Sequence, residues 1–217
     1  MIFHIISLIF QLSEFVQEVC HGRDPSHGHA HMQKVAAVST DLLKTVIGDT
    51  AGATKYIMYV LIVAWLHDVA DHKYDKDGRL KASVRDFINS LIDDEFVTNQ
   101  IMTVIDSVSF SAEDKARKSG VHIDWTEKLG PFWVVVRTCV SDADKLEALG
   151  QTGFERVVAY TMEHQPGIDR QTLKAEVEKH AGEKLYRLRG EGFIVTEAAR
   201  KMAVEKEAEL RSLIAAM

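Results

Sequence analysis

Residues 53–68 constrain the chain most. Ile57, Met58, Val60, Leu61, Ile62, Val63, Trp65 and Leu66 are apolar almost all round a helical wheel, and the run ends in His67 and Asp68. A helix without a polar face has to be enclosed, so the segment predicts a central helix surrounded by others. The remainder of the chain can supply them. Only Pro25, Pro131 and Pro166 interrupt its 217 residues, and the intervals are rich in Ala, Leu, Glu and Lys. The expected fold class is all-α, a single-domain helical bundle over residues 1–217, because no repeat, low-complexity stretch or Gly/Ser/Pro-rich linker divides the chain.

Helical periodicity places the neighbours. Ile2, Ile5, Ile9, Leu12, Val16 and Val19 form one stripe, predicting an amphipathic helix over 2–20 that Gly22 and Pro25 stop. A second helix is expected from about Ser26 to Val46, with Val35, Val38, Leu42 and Val46 inward and Gly48 beyond its end. After a charged loop at 71–78, helices are expected near 82–92 and 95–108. Residues 111–130 are polar and Gly-punctuated, an excursion of no legible shape. Pro131 begins another apolar helix through Val140 to about Leu149. Two or three more helices reach Met217, the last carrying Glu205, Lys206, Glu207, Glu209 and Arg211 as a solvated charged face.

The formal charge is −6, which argues against a sequence-independent grip on a nucleic-acid polymer. Cys20 and Cys139 are far apart in apolar surroundings and read as reduced core residues. The apolar opening Met1 to Phe10 has no basic leader and is too short to span a bilayer, as is the run 57–66. A cytoplasmic protein without a membrane partner is expected.

Chemistry concentrates in three places. A His-Asp dipeptide is expected about once by chance in a chain of this composition, so His67-Asp68 needs context, and a His-capped helix end is its bland alternative. Upstream, His27, His29 and His31 fall within five residues, and His27 and His31 would share a helix face. Solvated histidines are the alternative there. Downstream, Asp142 and Asp144 follow an apolar strip and must be paired, solvated or bound to metal. Together these offer a nitrogen and oxygen ligand set, suited to manganese, iron, magnesium, nickel or cobalt.

These pieces, in this order, resemble the HD-domain metal-dependent phosphohydrolase superfamily, and more narrowly its small bacterial-type branch. The segments that carry the likeness are Asp24 to Val35, Ala64 to Asp68, Ser109 to Ser111, Val140 to Gly150 and His180 to Leu188. The resemblance implies a helical HD-domain bundle holding one divalent metal ion on His31, His67, Asp68 and Asp144, with Asp142 the less favoured distal ligand. It also implies that Asp68 and Asp71 are catalytic, Asp71 positioning or deprotonating water, and that Lys34 contacts substrate phosphate; His27 and Lys73 are candidate phosphate contacts by location alone, with solvent exposure the alternative. Lys34 stands where many relatives carry Arg, which keeps the charge but loses the planar fork.

The implied reaction is attack of metal-activated water on phosphorus. The implied substrate is a small phosphate compound, a nucleotide, converted from triphosphate to monophosphate plus pyrophosphate or cleaved as a phosphomonoester. Besides that substrate, the partner expected is a second copy of the chain in a homodimer. Two other readings compete. One is a two-iron oxygenase on the same scaffold, for which only His72 and His122 lie between the pair and the distal Asp. The other is a non-catalytic helical protein with a structural metal. Tyr74, Phe110, Trp125 and Trp133 serve a base-holding role or core packing equally well.

Overall fold

The structure, a computed structural model, describes every residue except Met1, Pro25, Ser26, Asp49 and Ala51, and describes Ile2 by its backbone alone. All regular structure among the described residues is helical, and no helix there is long and apolar enough to cross a membrane. The chain separates into two compact units, Met1–Ser141 and Asp142–Met217.

In the first unit, α3 (Ala53–Leu66) is the buried axis, with every residue from Tyr59 to Leu66 enclosed. Helices α1 (Ile2–Val19), α2 (His29–Ile47) and α5 (Glu95–Val108) pack on it, and α4 (Arg79–Ile92) packs on α5. Burying a Leu or Ile side chain contributes about 1.5–3 kcal/mol. Enclosing so many on one helix makes α3 the element on which the others assemble.

Two predicted inward faces are corrected. On α1 the buried residues are Leu8, Leu12 and Val16, while Ile9 is exposed. Ile6, Ile9 and Phe10 add apolar residues outside that face, so periodicity alone does not choose it. On α2, Leu43 is enclosed beside Leu42 and Val46 points to solvent. The helix also begins later than predicted, at His29, because Gly28 precedes it with an extended backbone (φ −97°, ψ 179°). Pro25 and Ser26, expected at that junction, lie outside the described residues.

The excursion at 111–130 has a definite architecture. Ser109 caps α6 (Phe110–Lys118), and α7 (Trp125–Glu147) follows after a short loop. Gly130 breaks α7 at a backbone conformation glycine tolerates (φ 78°, ψ 165°), and Pro131 starts its straight portion as expected. What binds this region is a buried ion network. Arg137, 1% exposed, donates to the Ser107 carbonyl (3.2 Å) and to Glu113 (2.8 Å). Arg117 donates to the other Glu113 oxygen (2.8 Å), and the Trp125 ring stacks on the Arg137 guanidinium, 4.3 Å from its centroid.

The second unit holds α8 (Gly150–His164), α9 (Arg170–His180), a π-helical turn (Ala181–Leu185), α10 (Tyr186–Gly190) and α11 (Glu197–Ala216). The charged face of α11 is not wholly solvated. Glu207 is buried and accepts hydrogen bonds from Arg189 and Arg211, the latter stacked on Tyr186. Both cysteines are buried, in keeping with their reading as core residues.

Arg137→Leu strips a buried carboxylate of its enclosed partner and is expected to cost about 3–5 kcal/mol in urea denaturation. Arg117→Ala, removing a partly exposed partner, should cost about 1 kcal/mol or less. Equal losses would contradict the assignment of Arg137 as the anchor.

Candidate metal centre

The centre is built where α3 ends. His67 caps the helix, and its Nδ1 lies 2.8 Å from the Ala64 carbonyl. A carbonyl only accepts, so Nδ1 carries the proton and Nε2 presents its lone pair, the tautomer a metal ligand requires. His31, in the first turn of α2, is 2% exposed and faces it, with ring centroids 5.3 Å apart. Asp68 brings Oδ2 to 3.7 Å from His31 Nε2 and 3.8 Å from His67 Nε2. These separations exceed a hydrogen bond.

Asp144 stands on the straight portion of α7, three residues beyond Ser141 on an unbroken helix. Donor atoms of His31, His67 and Asp144 lie within 4.8 Å of one another. Donors about 2.0–2.2 Å from a single ion sit roughly 3–4.4 Å apart, so the Asp68 distances fall within that spread. Two imidazoles and two carboxylates, without a thiolate, fit a divalent ion of the manganese, iron, cobalt, nickel or magnesium type.

The other predicted residues surround this group at different depths. His27 precedes α2 instead of sharing a helix face with His31, because the helix has not yet begun. Its Nδ1 donates to Asp24 (3.1 Å), and its Nε2 lies 3.4 Å from Lys73 Nζ. Asp71 accepts from the Lys73 backbone N–H through Oδ1 (2.9 Å) and is about a fifth exposed. Lys34 is exposed on α2, one turn past His31. His29 is held by Ser13 (2.7 Å) and packs, tilted, against Trp65. His72 and His122 are exposed. Of the aromatic residues considered for a base, Trp133 packs with Tyr59 and Phe132, and Trp125 covers Arg137.

Sequence reasoning missed Arg23, whose guanidinium donates to the backbone carbonyls of Asp68 (3.1 Å) and Val69 (2.7 Å). It also missed the second task of Tyr74. That ring lies under Arg23, and its hydroxyl donates to Asp24. Burial, with the Asp24 carboxylate adding to it, pushes the Tyr74 hydroxyl up to about 12. The Arg23 contacts span 45 and 46 residues of chain, and neither periodicity nor motif spacing carries such information.

The two distal aspartates have separate surroundings. Asp142 is 1% exposed and accepts from the Val195 N–H (2.9 Å), the Thr196 N–H (2.7 Å) and the Thr196 hydroxyl (2.7 Å), fastening the N-terminus of α11. Burial pushes its carboxyl up, against the opposing pull of those three donors. Asp144, one position past Ala143, turns toward the imidazoles instead. In metal-free protein, Asp142→Ala is expected to lose about 1–3 kcal/mol in urea denaturation, since it strands those donors. Asp144→Ala should lose less than half as much, and the reverse order would contradict this division.

No family profile and no curated protein matches the chain. Solved structures do. Bacillus subtilis YpgQ in complex with ADP aligns over 98% of this chain and 94% of its own at a TM-score of 0.68 and 21% identity. A protein from Lactobacillus plantarum aligns over 97% and 94% at 0.71 and 19% identity. An HD-superfamily hydrolase from Bacillus thuringiensis aligns over 98% and 95% at 0.66 and 21% identity. The expected helical bundle is therefore the one observed, and the chain shares the fold of these proteins.

Proposed function

We propose that this chain is a metal-dependent phosphohydrolase whose single functional domain spans residues 1–217 and whose substrate is a nucleotide. The observation that carries the reading is the meeting of two buried imidazoles, His31 and His67, with the carboxylates of Asp68 and Asp144 on an HD-superfamily fold. Support for a nucleotide comes from YpgQ, a protein of the same fold described in complex with ADP.

His31, His67, Asp68 and Asp144 would hold one divalent ion. When bound, such an ion lowers the pKa of a coordinated water and polarises a phosphoryl oxygen. The chain's own residues do the remaining work. Asp71 spends Oδ1 on the Lys73 N–H, which orients its carboxylate to position a water or take its proton. The His27 Nδ1–H is turned to Asp24, so Nε2 accepts from the Lys73 ammonium and holds that cation beside the centre. Lys73 and Lys34, both exposed, offset charge on a substrate phosphate, and His27 sets the reach of Lys73.

The test is product analysis by ion-exchange chromatography after incubation with Mn²⁺ or Mg²⁺ and a panel of nucleoside mono- and triphosphates. Pyrophosphate from triphosphates, or orthophosphate from monophosphates, is the expected product. Either should fall by at least about a thousandfold in Asp68→Ala. Lys73→Ala should raise KM more than it lowers kcat. Folded, metal-loaded protein that releases neither product would overturn the reading, and oxygen uptake with bound iron would replace it with the oxygenase.

A further inference from the structure

Resting on that reading, we propose that Arg23 is a positioning residue that sets where the metal ligand Asp68 stands. Arg23 lies in the loop after α1, and its two terminal nitrogens bridge the consecutive carbonyls of Asp68 and Val69. These carbonyls sit just past the end of α3, where the helix no longer supplies donors to satisfy them. A cation there also complements the negative end of the helix dipole. The same Asp68 carbonyl accepts from the Asp71 N–H (3.2 Å), so the guanidinium fixes the turn that presents both acidic residues.

The clamp is itself held. The Tyr74 ring lies 4.3 Å from the Arg23 guanidinium carbon, and the Tyr74 hydroxyl donates to Asp24, the neighbour of Arg23. Asp24 also takes the His27 Nδ1–H, and Lys73 reaches back to His27. Residues Arg23, Asp24 and His27 are thus joined to the turn at 68–74 at adjacent points. A direct contact of Arg23 with substrate phosphate fits poorly, because both terminal nitrogens are engaged and one face is covered by Tyr74.

The readout is the Mn²⁺ affinity of the purified full-length chain by calorimetry, with the absorption spectrum of the Co²⁺-loaded protein as a check on coordination. Arg23→Gln should weaken Mn²⁺ binding by about tenfold or more and shift the Co²⁺ bands. Arg23→Lys, which reaches one carbonyl but cannot bridge two, should recover part of the affinity. Phe15→Leu, which breaks the Phe15–Phe87 stack on α1 and α4, should lower the melting temperature without moving Mn²⁺ affinity.

Arg23→Gln that folds by circular dichroism and binds Mn²⁺ within about twofold of wild type would overturn the proposal. Should Arg23→Gln fail to fold, Arg23→Lys decides by the same criterion. Wild-type protein that takes up no Mn²⁺ would overturn the metal centre as well, a result distinct from unchanged affinity in the variants.

Discussion

The hydrogen bond from His67 Nδ1 to the Ala64 carbonyl is the hinge between fold and chemistry. It uses the last turn of a helix enclosed from Tyr59 to Leu66, so the imidazole inherits the rigidity of a buried element. By fixing the tautomer it leaves Nε2 facing His31 Nε2 and the Asp68 carboxylate. The Asp68 carboxylate oxygen, 3.7–3.8 Å from the two Nε2 atoms, is beyond hydrogen-bond reach of either and at the spacing of donors that share one cation. Helix α3 thus gathers its neighbours in the first unit and ends in His67 and Asp68, the pair proposed to hold the metal.

Neighbouring acidic positions divide their labour. Asp142 and Asp144 lie two residues apart on one helix, yet the first is consumed in fastening α11 and the second is turned toward the imidazoles. The same economy appears beside the turn at 68–74, where Arg23 takes backbone carbonyls and Lys73 stays at the surface.

How far the sequence reveals this depends on the range of the interaction. The enclosure of α3 is legible because a helix apolar on every side has one solution, and the order of His31, His67-Asp68 and Asp144 is legible because motif spacing records it. The inward face of α1 is not, since Ile6, Ile9 and Phe10 add apolar side chains beyond the true stripe of Leu8, Leu12 and Val16. The shape of 111–130 is hidden for a different reason. It is set by Arg137 meeting Glu113 across 24 residues, a pairing that polar composition cannot distinguish from a solvated loop. Arg23 belongs to the same class, and so does Glu207, whose neighbours on α11 disguise it as part of a charged surface.

The most direct measurement is an anomalous difference map from a crystal soaked in Mn²⁺. One peak about 2.0–2.3 Å from His31 Nε2, His67 Nε2 and carboxylate oxygens of Asp68 and Asp144 is the predicted result. No peak there, or a peak coordinated by Asp142 in place of Asp144, would contradict the assignment of these four side chains as the metal site.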